Sequence, residues 1–143
     1  FFIFNRCFKW LTSVSHFFCN FIFVDNNTRG CFAEYQFGLE CLKRGIIVSY
    51  PLLDACVYDC VADTGNDIYR IQIKSTEKKI EKNRSTIQAN WHTSYSKNDV
   101  DFFAVYVNMY QGFFIFRNNG HQQSIRLNLI NENSKFFNNF GFK

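Results

Sequence analysis

Residues 58–76 read YDCVADTGNDIYRIQIKST, and they contain the strongest pattern in the chain. A short segment with Asp59 is followed by a turn rich in Gly, Asn and Asp and then by a second apolar/polar alternation. Side chains alternate between the two faces of a strand, so the second strand has a polar face and an apolar face. The polar face carries Arg70, Gln72, Lys74 and Thr76, and the apolar face carries Ile71 and Ile73. The pattern predicts a β-hairpin in which Asp59 lies beside Gln72 and Lys74.

This hairpin would place an acid, an amide oxygen and an ammonium group together on a rigid sheet. Carboxylate and carbonyl oxygens are the ligands that Mg²⁺ prefers, so Asp59 is the first candidate ligand. Gln72 would present its amide oxygen to the metal or order a metal-bound water. Lys74 would orient or help to deprotonate the attacking water, or stabilise charge in the transition state. The hairpin therefore predicts a site for phosphodiester hydrolysis.

The residues before the hairpin extend the pattern. A helical segment with Glu34 is followed by an apolar strand at 46–48, then Pro51, then Asp59, and finally the strand with Gln72-Ile73-Lys74. This order resembles the PD-(D/E)XK nuclease superfamily. The chain is similar to the small nucleases encoded in group I introns, in which Gln replaces the second acid. Holliday-junction resolvases share the same helix–hairpin core, and the resemblance covers residues 30–117.

The resemblance implies a fold, an activity and a set of site residues. The fold would be α/β, with a restriction-endonuclease-like core in which helices flank a central mixed β-sheet. The protein would be a Mg²⁺-dependent DNA endonuclease of the homing type, with Mn²⁺ as a possible substitute. Double-stranded DNA would be its partner, and a homodimer or homotetramer would supply two sites for two strand scissions. The implied catalytic residues are Glu34, Asp59, Gln72 and Lys74, and the implied metal ligands are Asp59, Gln72, the Ile73 carbonyl and Glu34.

Several assignments remain open at the level of sequence. Asp54 stands three residues after Pro51, and Asp63 shares a strand face with Asp59, so each competes for the role of leading acid. Glu34 is equally an ordinary helix Glu, and Glu40 is a weaker competitor. A junction resolvase and a catalytically inactive DNA-binding domain are alternative functions, the second because a neutral Gln binds a hard cation less strongly than Glu does.

Basic residues concentrate after the hairpin. Between residues 70 and 97 there are seven Lys and Arg and two Glu, so this segment exceeds the chain's net charge of +4. A solvated loop would explain the charge run. Its position favours phosphate contacts instead, and these candidates are Lys78, Lys79, Lys82 and Arg84. Candidates for reading base edges are Asn83, Gln88, Asn90 and His92, although an ordinary polar loop is the better explanation for each of them taken singly.

The length and composition of the chain suit a globular protein. The 143 residues fit one domain, and 19 Phe supply a large core. Residues 1–24 are Phe-rich but are interrupted by Arg6, Lys9 and His16, which excludes a membrane-spanning helix there. We expect residues 1–26 to be an N-terminal extension and residues 27–143 to be the nuclease domain.

The six cysteines form no Cys-x-x-Cys pair and have no His at zinc-ligand spacing. This pattern argues against a structural zinc and favours free thiols in a reducing compartment. The expected location is the cytoplasm or an organelle, in association with the nucleoid and without a membrane partner.

The remaining pattern predicts one helix and further strands. The helix would be capped by Asn27 or Thr28, would end near Gly45, and would bury Ala33, Phe37, Cys41 and Leu42. Residues 46–48 would form a short buried strand, and residues 77–98 a polar loop. Residues 100–107 and 112–116 would form an antiparallel pair, and residues 134–140 a short helix.

Overall fold

The computed structural model describes residues 25–53, 55–80, 85–130 and 132–143. In this part of the chain, a five-stranded mixed sheet has an α-helix on one side and a two-stranded ribbon on the other. The predicted α/β fold with a central mixed sheet is confirmed.

The helix, α1, spans Asn26–Leu42 and begins two to three residues earlier than predicted. Its N-cap is Asp25, whose carboxylate accepts a hydrogen bond of 2.8 Å from the Thr28 N–H. The prediction of Asn27 or Thr28 as the cap is therefore wrong, because the Asp25 carboxylate already accepts from the Thr28 N–H and places both residues inside the first turn. Gly45 has a φ of 74° and turns the chain toward the first strand.

The helix buries a narrower stripe than predicted. Ala33, Phe37 and Cys41 have no exposed surface, but Leu42 is 71% exposed. Nine positions separate Leu42 from Ala33, which corresponds to about 180° of rotation around a helix with 3.6 residues per turn. Leu42 therefore lies on the solvent side, and its assignment to the core is wrong.

Five strands make up the main sheet, in the order β1-β2-β3-β5-β6. Their bounds are β1 Ile47–Ser49, β2 Cys60–Asp63, β3 Ile68–Thr76, β5 Phe102–Val107 and β6 Gly112–Arg117. Neighbouring strands are antiparallel except β3 and β5, which are parallel and are joined by a long crossover. Both predicted antiparallel pairs, β2–β3 and β5–β6, are confirmed.

The first strand differs from its prediction. Strand β1 pairs only with β2 and so lies at an edge of the sheet. Ile46 is buried beside it, but Ile47 within it is 66% exposed. The prediction of a buried strand is wrong, because β1 is an edge strand in which Val48 packs against the core while Ile47 points to solvent.

The segment expected to be a polar loop contains a strand. Strand β4, Ile87–Asn90, pairs antiparallel with β7, Ser124–Leu127, and together they form the ribbon. We missed both strands because their alternation covers four residues each, in surroundings rich in Asn, Gln and Ser. The predicted short helix at 134–140 is a 3₁₀ turn at Glu132–Phe136.

Side chains of the sheet are divided between two cores. Ile71 and Ile73 of β3 pack toward α1, as the alternation predicted. Phe103 and Val105 of β5 point the other way and pack with the inner face of the ribbon.

Two further findings concern the described residues. Cys31, Cys41, Cys56 and Cys60 are free thiols, and no helix there is both long and apolar enough to cross a membrane.

Candidate active site

The predicted pairing of Asp59 with the β3 strand is present. Strand β2 begins at Cys60, opposite Ile71, and the N–H of Asp59 donates to the Ile71 carbonyl at 2.9 Å. The Asp59 carboxylate accepts a hydrogen bond of 2.5 Å from the Ile73 N–H and another from the Gln72 side-chain amide. The carboxylate is thus held by the backbone and a side chain of the same strand.

Gln72 is buried, with 5% of its surface exposed. A buried amide needs hydrogen-bond partners, and Asp59 supplies one for its nitrogen. The neighbouring residue across β3 and β5 is Phe103, which is fully buried. Gln72 therefore lies between a carboxylate and an aromatic wall.

The oxygen donors around Asp59 fit a hard cation. In a β-strand, the N–H and C=O of one residue face the same neighbour, so the Ile73 carbonyl lies on the Asp59 side of β3. A carboxylate, a side-chain amide and a backbone carbonyl make a donor set of the kind that Mg²⁺ accepts. The described residues contain no group of three or more His, Cys, Asp or Glu that could hold a metal ion. Asp59 is the carboxylate bound directly to Gln72 and to the Ile73 backbone.

Lys74 lies on the same face of β3, two residues beyond Gln72. Its ammonium group donates a hydrogen bond of 3.0 Å to the Tyr95 hydroxyl and lies 5.2 Å from the centre of that ring. The Tyr95 ring packs edge-on against Phe103, with 5.5 Å between centroids. The ammonium is therefore oriented by a neutral hydroxyl on a rigid aromatic support.

Asn118, which we did not single out from the sequence, anchors the loop that carries Tyr95. It is 4% exposed, and its side-chain N–H₂ donates to the carbonyls of Tyr95, Ser96 and Val100 at 2.9–3.1 Å. The one signal in the sequence is its position in an Asn-Asn-Gly run directly after an apolar strand, which indicates a turn but not the loop it holds.

Arg70 was expected on the polar face of β3, and the structure assigns it a structural contact. Its guanidinium forms a two-pronged ion pair with Asp101, at 3.0 Å from Nε to Oδ2 and 3.1 Å from Nη2 to Oδ1. It also donates to the Asn98 carbonyl. Burial alone would raise the pKa of Asp101, but hydrogen bonds and charge from Arg70 lower it below its ordinary value. This pair joins the starts of β3 and β5.

Glu34 reaches the region from the helix side of the sheet. It is half-buried on α1, and its backbone carbonyl accepts a hydrogen bond of 3.0 Å from the Tyr50 hydroxyl. Burial raises the pKa of the Cys60 thiol, and the nearby Cys41, Asp59 and Glu34 raise it further. Both carboxylates therefore lie close enough to Cys60 for their charge to raise its pKa.

The competing acids have other partners or lie outside the described residues. The carboxylate of Glu40 forms ion pairs of 2.6 Å with Lys43 and Arg44. Asp63 accepts a hydrogen bond of 2.8 Å from the Gly65 N–H and so caps the hairpin turn. Asp54 lies outside the described residues.

Four of the candidate DNA contacts are exposed. Lys78 and Lys79 follow β3 after Glu77, Asn90 ends β4, and His92 lies two residues later. Gln88 is half-exposed on β4. Lys82, Asn83 and Arg84 lie outside the described residues.

The chain is similar to one protein family in sequence and to two solved structures in fold. The model of a family described as PD-(D/E)XK endonuclease matches residues 24–140. A solved structure, the bacterial homing endonuclease I-Ssp6803I, is 23% identical with a TM-score of 0.63, over 79% of this chain and 88% of that one. A second, the Holliday junction resolvase Hjc of the archaeal hyperthermophile Archaeoglobus fulgidus, is 14% identical with a TM-score of 0.46, over 69% and 83% respectively. No curated protein matches the chain.

Proposed function

The chain belongs to the PD-(D/E)XK endonuclease family, and from this premise we propose that it is a Mg²⁺-dependent endonuclease that cuts duplex DNA at a specific sequence, in the manner of a homing endonuclease. The observation that carries the proposal is the position of the Asp59 carboxylate, bound by the Gln72 amide and the Ile73 N–H, on the face of β3 that also carries Lys74.

The proposed metal ligands are Asp59, Gln72 and the Ile73 carbonyl. A bound Mg²⁺ would lower the pKa of a coordinated water and offset negative charge on the phosphate, and Mn²⁺ has the same preference for oxygen ligands. The hydrogen bonds to Asp59 fix its orientation before a cation binds. This preorganisation keeps the oxygen donors together at little entropic cost.

Because Gln72 is neutral, this hairpin has one negative charge fewer than a hairpin with two acids at the site. Glu34 is our proposed source of the missing charge, since α1 packs against Cys60, the residue next to Asp59. Its contribution would be to the affinity for the cation. Lys74 would orient the attacking water or stabilise charge that develops on the phosphate, and Tyr95 holds its ammonium group in place.

Phosphate contacts would come from the segment after β3. Lys78 and Lys79 are exposed there, and we include Lys82 and Arg84 on sequence grounds. Asn90 and His92 are the proposed base contacts. We further propose a homodimer or homotetramer in a reducing compartment, and a nuclease domain of residues 27–143 with residues 1–26 as an extension.

The test is cleavage of supercoiled plasmid that contains a randomised duplex insert, and separately of a four-way junction, with Mg²⁺, Ca²⁺ or EDTA. We expect cuts at a defined duplex sequence with Mg²⁺ only. Asp59→Asn and Lys74→Met should each lower the rate by roughly 10²- to 10⁴-fold, the range for loss of a positioned catalytic group.

Two controls make this result interpretable. Asp63→Asn changes an acid of the same hairpin that caps the turn, and it should leave the cleavage rate within about threefold, because that carboxylate lies away from Gln72. Cutting only of the junction would indicate a structure-specific nuclease. Salt-sensitive binding to DNA without any cutting of the plasmid or the junction would indicate an inactive DNA-binding domain.

A further inference from the structure

The outer face of the two-stranded ribbon is not part of the candidate active site. We propose that this face of β4 and β7 enters the major groove of the duplex and reads base edges there. The inference rests on the proposed function, because it names the surface through which that nuclease would recognise its target.

The register of the ribbon separates an apolar inner face from a polar outer face. The inner face packs against the main sheet and consists of Ile87, Ala89, Ile125 and Leu127. On the outer face, Gln88 is opposite Arg126 and Asn90 is opposite Ser124. Asn90, Ser124 and Arg126 are exposed and Gln88 is half-exposed. All four outer side chains carry hydrogen-bonding groups.

The charge around this face suits an approach to phosphates. No Asp or Glu occurs in residues 85–98 or 118–130, although the chain contains 12 of them. Arg126 forms no ion pair with any carboxylate of the described residues. A duplex brings a dense row of negative charge, so a surface without carboxylates avoids repulsion as the groove is entered.

The ribbon lies on the same side of the main sheet as the candidate active site. Trp91 directly follows β4, and its ring lies 4.8 Å from that of Phe103. Phe103 is the neighbour of Gln72 across the β3–β5 pair. Asn90 is therefore separated from the wall of the site by one residue along the chain and one ring contact. A duplex lying along this side would contact Lys74 and the ribbon together.

The dimensions of the ribbon match those of the groove. A major groove about 12 Å wide admits a two-stranded ribbon. The two outer pairs are two residues apart along each strand, or about 7 Å, which equals about two base-pair steps of ~3.4 Å. Arg pairs with guanine, and Asn and Gln pair with adenine through two hydrogen bonds. The ribbon should therefore read purines at positions about two base pairs apart.

The experiment is selection of bound duplexes from a randomised library by the full chain in Ca²⁺, followed by sequencing. Arg126→Ala should reduce the preference for guanine at one position by about 5- to 100-fold, and Asn90→Ala should do the same for adenine about two base pairs away. Arg126→Lys, which keeps the charge but not the planar guanidinium, should weaken the guanine preference less than Arg126→Ala does, because Lys also donates to guanine O6 and N7.

Matched controls come from α1 and from the phosphate-contacting segment. Gln36→Ala and Lys43→Ala, on the other side of the sheet, should leave every preference unchanged. Lys78→Ala should weaken binding to all sequences alike and lower its salt dependence. Thermal unfolding of each variant establishes that it is folded.

The outcomes separate this inference from the function on which it rests. Unchanged preferences in folded Arg126→Ala and Asn90→Ala would overturn the inference, as would a parent protein that selects no preferred sequence. A parent that binds a preferred sequence, changed as expected in these variants but never cut with Mg²⁺, would uphold the reading surface and overturn the endonuclease.

Discussion

The two sides of the main sheet are built from the same central strands but are covered in different ways. On the helix side, Phe37 lies at the centre of a continuous apolar core and has no exposed surface. On the ribbon side, the aromatic cover ends near Phe103, and β3 beyond it carries Gln72 and Lys74. One side is closed by packing, and the other leaves polar groups at the margin of its core.

This difference follows from alternation along β3. Ile71 and Ile73 supply packing on one side, while Gln72 and Lys74 between them supply chemistry on the other. Because consecutive residues serve opposite sides, the helix core immobilises the backbone from which the candidate catalytic groups project. Rigid support of this kind keeps reactive groups in position. We expect stability to depend mainly on the helix side and activity on the ribbon side.

The most severe test of this division is Phe37→Ala. Phe37 packs edge-on against Phe113 and in a tilted arrangement against Phe140, at centroid distances of 5.5 and 5.7 Å. Its removal should leave a cavity and lower the free energy of unfolding by about 3–5 kcal/mol, measured by urea denaturation. Tyr35→Ala, at a site on the same helix that is 66% exposed, should change it by less than about 0.5 kcal/mol. Equal losses in both variants would contradict a stability centred on the buried stripe.

A smaller effect is expected from Asp101→Asn, which tests how the ribbon side is joined at its base. Asp101 and Arg70 are partly exposed, so loss of the ion pair should cost about 1–2 kcal/mol at pH 7. The folded-state pKa of Asp101 lies below its ordinary value of 3.8. The contribution of the pair is therefore complete above that value and is lost as pH falls below it.

Urea denaturation at neutral pH and near pH 3 measures this dependence. The free energy of unfolding of the parent protein should approach that of Asp101→Asn as the carboxyl group takes up a proton in the folded state. Asp99→Asn serves as a control, since Asp99 is an exposed neighbour outside the ion pair. A difference between parent and Asp101→Asn that stays constant down to the lower pH would exclude the charge of Asp101 as its origin.

The smallest effect should come from Tyr95→Phe, which removes the hydroxyl bound to Lys74 but keeps the ring against Phe103. Loss of one such hydrogen bond corresponds to about a 2- to 10-fold decrease in kcat. KM should stay unchanged if Tyr95 positions the ammonium group without touching DNA. Tyr110→Phe, a half-buried tyrosine near Phe114, is the matched control. An unchanged kcat with lowered stability would reduce Tyr95 to a packing role.

Much of the sheet could be predicted from strand patterns that are long or adjacent in sequence. The β2–β3 hairpin and the β5–β6 pair are confirmed, because each joins segments with clear alternation or continuous apolar residues across a short turn. The proximity of Asp59 and Gln72 followed from the hairpin. The roles of Glu34, Gln72 and Lys74 in catalysis remain predictions.

The errors have physical causes that a single sequence does not display. The paired residues Ala89 of β4 and Ile125 of β7 are 36 positions apart in the chain, and four-residue alternation carries little signal without the partner strand. Leu42 seemed apolar enough for the core but lies opposite Ala33 around the helix. Asn118 resembled a turn residue, whereas it holds the carbonyls of a distant loop.

The sequence by itself determined the nuclease-like hairpin, because period-two alternation and a turn between adjacent segments are local properties of the chain. It also determined which strand carries Gln72 and Lys74 on one face. Only the tertiary structure decided that β3 and β5 pair in parallel, that Tyr95 and Asn118 support Lys74, and that β4 finds β7. These contacts join segments far apart in the chain, and their free energy exists only when the whole core brings them together.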